Sequence, residues 1–93
     1  MHLKTLDALD RYISLGTARR GYRGRVAVIL PVAGSGRLAA DEMERRLIEM
    51  GFIEGAEIEI VHEAPFGRDP IAVRVGPATV ALRRRDAMAI LTE

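Results

Sequence analysis

Apolar and polar positions alternate with period two in several short runs of this chain. In AEIEIVHE (residues 56–63), Ile58 and Ile60 fall on one side of an extended backbone, and Glu57, Glu59 and Val61 on the other. That is the pattern of a half-buried strand. Carried to the end of the run, it puts Glu59 and Glu63 on one face and Ile60 with His62 on the opposite face. IAVRV (71–75) alternates again and turns Ile71, Val73 and Val75 inward. RVAVILP (25–31) is rich in β-branched residues and is closed by Pro31. TVALR (79–83) returns antiparallel to 71–75, RRDAM (84–88) reads as a polar corner, and AMAILT (87–92) supplies a final strand.

One stretch has a helical period. In RLAADEMERRLIEMG (37–51), Met43, Leu47 and Met50 recur at helical spacing with Ile48 beside them. Asp41, Glu42 and Glu44 stand near the start, where the helix dipole favours acids. Leu38 is placed to pack under the first turn. The spacing of Leu3, Leu6, Leu9, Tyr12 and Ile13 is compatible with a second short helix, or with an arm that packs on the rest of the fold.

Glycines and prolines mark the turns. Gly51 suits a left-handed cap at the end of the helix, with Phe52 folding back onto the last turn. Gly55 launches the next strand, Gly67 sits in the turn APFGRDP, and Gly76 precedes Pro77 in a tight hairpin. Connections after Gly51 are short, which favours antiparallel neighbours. The expected fold is mainly β: a small, partly closed barrel of about five antiparallel strands with one or two short helices, formed by residues 1–93 as one domain. The glycines are explained by the closing of such a barrel and require no ligand.

Composition narrows the chemistry. Cysteine is absent, which excludes disulfides, thiolate metal sites and cysteine nucleophiles in this sequence. Aromatic residues make up only 4 %, so aliphatic side chains must fill the core. No apolar run reaches the length of a membrane span, and the opening MHLKTLDALDRY is too charged for the apolar part of a signal peptide. Charge is uneven along the chain: residues 1–37 carry seven basic and two acidic side chains, and residues 38–64 two basic and eight acidic. Such a distribution orients a partner electrostatically, or simply supplies solvated faces.

Arginines 19, 20, 23 and 25 form the densest basic cluster, suited to phosphate or to an acidic partner surface. With arginines 83, 84 and 85 they define the alternative of a small nucleic-acid-binding barrel. Gly34-Ser35-Gly36 lacks the rest of a nucleotide-binding motif and reads as a surface turn. The two histidines, His2 and His62, give little material for a metal site or a general base. The glutamates at 42, 44, 49, 54, 57, 59 and 63 read as a solvated face. No catalytic, cofactor-binding or metal-binding residue is assigned, and the chain is not expected to be an enzyme.

A set of short motifs in fixed order adds to this reading. They are Leu47, Met50-Gly51-Phe52, Gly55, Ala64-Pro65, Gly67, Asp69-Pro70, Val73, Val75, Gly76, Ala81-Leu82-Arg83, and Ala87 with Ile90, preceded by Gly24-Arg25-Val26. Over residues 24–91 this series resembles the ferrous iron transport protein A family, FeoA. The sequence departs from the family at Glu54-Gly55, where Pro-Gly is more usual, and at Arg68, which replaces the second glycine of a common pair. The resemblance implies an SH3-like barrel and a cytoplasmic accessory or regulatory protein of ferrous iron uptake. The implied partner is the cytoplasmic part of a FeoB-like permease, with no cofactor. The candidate partner surface is a cleft between helix 41–50 and the turns at 52–55 and 65–69, carrying Glu49, Glu54, Phe66 and Arg68. Phe66 is either an exposed anchor there or a cap on the barrel end. Alternatives to the adaptor reading are the nucleic-acid barrel and a direct iron-binding carrier that uses carboxylates.

Overall fold

A computed structural model of the protein describes residues 11–31 and 39–93. Six antiparallel strands form one sheet in the order β1-β6-β2-β3-β4-β5. They are β1 (Ile13–Ser14), β2 (Arg23–Ile29), β3 (Glu57–Glu63), β4 (Ile71–Val75), β5 (Ala78–Leu82) and β6 (Ile90–Thr92). Helix α1 spans Ala40–Glu49, helix α2 spans Arg84–Ala87, and a 3-10 turn spans Leu15–Thr17. The mainly β class, the antiparallel pairing and the helix before Gly51 are as the sequence pattern predicts.

β2 belongs to two strand groups. Arg23, Gly24 and Arg25 pair with Glu59, Ile58 and Glu57 of β3. From Val26 onward the strand pairs with β6, with a register shift between Val26 and Val28. A bulge of this kind bends a strand and increases its twist, which lets one strand turn a corner between the two groups. The side chains facing the enclosed space are Leu15, Val26, Met43, Leu47, Phe52, Ile58, Ile60, Ile71, Val73 and Ile90, all buried.

The described part of the N-terminal segment is not helical. Ile13 and Ser14 pair with Thr92 and Leu91, adding a sixth strand. Of the helix and arm alternatives, these residues pack as an arm. The Thr92 hydroxyl donates to the Ile13 carbonyl at 2.7 Å. It also lies 2.6 Å from the Tyr22 hydroxyl, and since a threonine has one hydroxyl proton, Tyr22 is the donor of that second bond. Leu3, Leu6 and Leu9, like Leu38 and Gly34-Ser35-Gly36, lie outside the described residues. The polar corner at 84–88 is instead the one-turn helix α2, whose Ala87 is buried.

The end of α1 couples helix termination to core formation. The Gly51 N–H bonds the Ile48 carbonyl at 2.9 Å and the Phe52 N–H bonds the Leu47 carbonyl at 3.0 Å. This paired arrangement is the Schellman motif, and it requires the positive φ of 111° found at Gly51. Phe52 and Leu47 are both fully buried, so the step that stops the helix also drives the aromatic ring into the core. Gly55, Gly67 and Gly76 likewise adopt positive φ, at 86°, 74° and 56°.

Replacing Gly51 tests this coupling. A side chain there is strained by φ, and its Cβ meets Val75 Cγ2 at 3.4 Å. Gly51→Val is expected to cost about 2 kcal/mol, seen as a melting temperature lower by roughly 10 °C. Melting unchanged from the parent protein would reject the cap assignment.

Candidate functional site

Two surfaces and one half-buried network are built from the elements around β3. The network begins with a bulge. Ile60 pairs with Val73, but His62 pairs with Ala72 and Glu63 with Ile71, so the register shifts by one residue. Directly opposed residues share a face. Glu63 therefore lies on the inward face with Ile71, and His62 lies outward and exposed. Simple alternation put Glu63 with Glu59 and His62 with Ile60; the extra residue at the bulge reverses both.

The inward carboxylate meets Arg84. Arg84 Nη2 donates to Glu63 Oε2 at 2.7 Å, and only 18 % and 14 % of the two side chains are exposed. Arg84 Nη1 donates to the Ala18 carbonyl at 2.6 Å and to that of Gly16 at 3.2 Å. Arg84 Nε donates to the Arg68 carbonyl at 2.7 Å. The backbone N–H of Arg84, at the start of α2, bonds Asp69 Oδ1 at 2.9 Å. One guanidinium thus ties together the segment after the 3-10 turn, the end of β3 and the 64–70 loop. The packing is close: a Cβ at Gly16 would lie 2.5 Å from the Arg84 carbonyl oxygen and 2.7 Å from the Met88 nitrogen. Only glycine permits the 3-10 turn to approach α2 in this way.

Glu63 also accepts from the Arg20 backbone N–H at 3.0 Å and faces Arg19 at 3.8 Å. The hydrogen bond from Arg20, then the charges of Arg19 and Arg84, hold its carboxyl below the usual value of 4.5, against the opposing effect of burial.

The loop held by Arg84 carries two of the predicted partner residues. Phe66 is 90 % exposed, so it does not cap the barrel. Arg68 is exposed and takes a φ of 58°, a left-handed conformation in which the glycine more usual in the family is unstrained. Glu49, the last residue of α1, and Glu54, in the following turn, are exposed as well. They lie at the other end of β4: Gly51 sits against Val75, whereas the loop runs into Ile71. Four residue steps separate those ends, about 13 Å along a strand. The structure thus divides the expected single cleft into two separate surfaces.

The basic cluster is largely neutralised by β3. Arg23 meets Glu59 at 3.4 Å, Arg25 meets Glu57 at 3.5 Å, and Arg74 of β4 meets the other oxygen of Glu59 at 3.7 Å. Arg84 is committed to the half-buried network. Among the described residues no group of three His, Cys, Asp or Glu is arranged to hold a metal ion, and none of their helices is long and apolar enough to cross a membrane.

The six-stranded sheet and its short turns define a small, mainly β domain of a known kind. The FeoA domain profile matches residues 13–93, and the chain belongs to the FeoA family. It is 40 % identical over 72 residues to a Fe(2+) transport protein A/Fe(2+) transporter FeoB fusion protein of Porphyromonas gingivalis. That match covers 77 % of the chain but only 8 % of the fusion protein. Among solved structures, the FeoA-like protein of Clostridium acetobutylicum is 32 % identical with a TM-score of 0.72, the match covering 88 % of this chain and 85 % of that one. The FeoA of Stenotrophomonas maltophilia, solved with zinc and described as a prokaryotic SH3 domain protein, is 27 % identical with a TM-score of 0.71. That match covers 87 % of this chain and 89 % of that one. The family is associated with ferrous iron transport.

Sequence reasoning missed Arg84, Glu63, Asp69 and Gly16. Arg84 is the middle of three arginines, and nothing local separates it from its neighbours. The one available signal was in β3, where strict alternation fails at Val61 and His62.

Two predictions follow from the network. Arg84→Lys keeps the charge but loses the planar fork; with about 2 kcal/mol lost, chemical denaturation should show a lower midpoint. Glu63 has a folded-state pKa below its unfolded value. It therefore contributes stability that is complete above the unfolded value and is lost as pH falls through the folded one. Below about pH 4.5 the parent protein should lose stability faster than Glu63→Gln. Parallel pH profiles for the two would contradict this assignment.

Proposed function

We propose that this chain is a cytoplasmic accessory protein of ferrous iron uptake that binds the cytoplasmic part of a FeoB-like permease. The observation that carries the reading is the Porphyromonas gingivalis fusion, in which a segment 40 % identical to most of this chain shares a polypeptide with a FeoB transporter. Fusion holds two parts at a high effective concentration. Where the two are separate chains, a contact surface must supply that association.

The 64–70 loop has the physical character of such a surface. An exposed aromatic ring and an arginine are the side chains that most often dominate binding energy at interfaces. Phe66 and Arg68 provide both, on a loop whose backbone Arg84 holds from beneath at the Arg68 carbonyl. A loop fixed before contact loses less conformational entropy on binding. Glu49 and Glu54 add acidic contacts at the far end of β4. In this reading the domain binds and modulates its partner without performing chemistry on a substrate.

Calorimetric titration of the protein with the purified cytoplasmic part of the permease tests this proposal. Saturable binding is expected. Phe66→Ala should weaken it by about tenfold. Arg68→Gly should also weaken it, while melting stays near or above that of the parent because the left-handed strain is relieved. Absence of binding by the parent protein would remove the proposal.

A further inference from the structure

Three of the large hydrophobic side chains that remain exposed converge on one place. Val28 of β2, Ile48 of α1 and Ile53 of the following turn are 39 %, 44 % and 54 % exposed. All three line a groove of about 400 Å³ between the second half of β2 and the helix. Seven of the nine described residues lining it are apolar, and the other two are Glu44 and Glu54. Glu44 lies one turn before Ile48 on α1, so it stands directly beside the apolar patch. Neither carboxylate has an ion pair among the described residues, in contrast to Glu57, Glu59 and Glu63.

We propose that this groove is a docking point for a segment of the permease's cytoplasmic part that inserts an apolar side chain and flanks it with lysine or arginine. The proposed permease partnership supplies only the source of that segment. The groove itself sets its chemistry. Removing Val28, Ile48 and Ile53 from water is favourable, and two carboxylates at the edge with no ion pair among the described residues favour a cationic rim over an acidic or neutral one. An acidic segment would instead bring like charges together. The surface is separate from the Phe66 loop, so the two contribute independently to one interface.

Two measurements test the inference. In the first, amide NMR spectra of the protein are recorded with a short peptide of alternating leucine and lysine pairs, and with the same peptide carrying glutamate for lysine. Shifts are expected around Val28, Ile48 and Ile53, with the lysine peptide at least about tenfold tighter and that preference reduced by Glu54→Lys. Equal binding of both peptides, or shifts confined to other surfaces, would overturn the groove's assignment. In the second, Ile48→Lys and Ile53→Lys are titrated against the permease part, with circular dichroism showing that each is folded. Loss of about tenfold or more in affinity supports the proposal. If the parent binds and both variants bind within about twofold of it, the groove is refuted and the partnership stands. If the parent does not bind, the partnership and the named source fall together, and the peptide result alone decides what the groove accepts.

Discussion

The guanidinium of Arg84 offers its donors to four acceptors drawn from three parts of the chain. The carbonyls of Gly16, Ala18 and Arg68 and the carboxylate of Glu63 surround it. A planar fork suits such an arrangement, and a point-charge ammonium does not. A charge this poorly hydrated is tolerable only when it is paired and its donors are satisfied. Both conditions hold here because the β3 bulge turns Glu63 inward at the end of the barrel where α2 and the 3-10 turn meet. The outer shape of the 64–70 loop, with Phe66 and Arg68 displayed, depends on this concealed set of bonds.

The uneven distribution of charge along the chain has a structural explanation. The arginine cluster at 19–25 ends in β2, three of the acidic residues lie in β3, and these strands pair antiparallel. Arg23 and Arg25 thereby stand opposite Glu59 and Glu57, and β4 adds Arg74 beside Glu59. Each such exposed pair contributes at most about 1 kcal/mol. Their larger effect is on pairing choice: a register slipped by one residue would break the matching of charge and reverse the buried face at once. Charge that resembles a polyanion-binding feature in one dimension is thus largely consumed within the sheet.

Much of the fold was legible because local physics dictates it. Period-two alternation located β3 and β4, the helical spacing of Met43, Leu47 and Met50 located α1, and Gly51 marked its end. What escaped the sequence was non-local. Ser14 gives no hint that it will lie beside Leu91 at the other end of the chain, and β1 is only two residues long. Three consecutive arginines look alike until the fold encloses the middle one. Glu63 looked like one more solvated glutamate because the bulge that re-aims it depends on how β3 meets β4. Of the candidate surface, the exposure of Phe66 was foreseeable from its place in a turn. Its separation from Glu49 and Glu54 was not, since it follows from the length of β4.

The division of β2 between two strand groups bears on how the molecule opens. Its first residues are bonded to β3 and its last to β6, with the bend between them. Fraying that starts on either side must cross this shared strand before it can spread. Amide protons there are expected to exchange more slowly than those of the surrounding loops. A peripheral loop can then open locally without breaking the pairing on both sides of this strand.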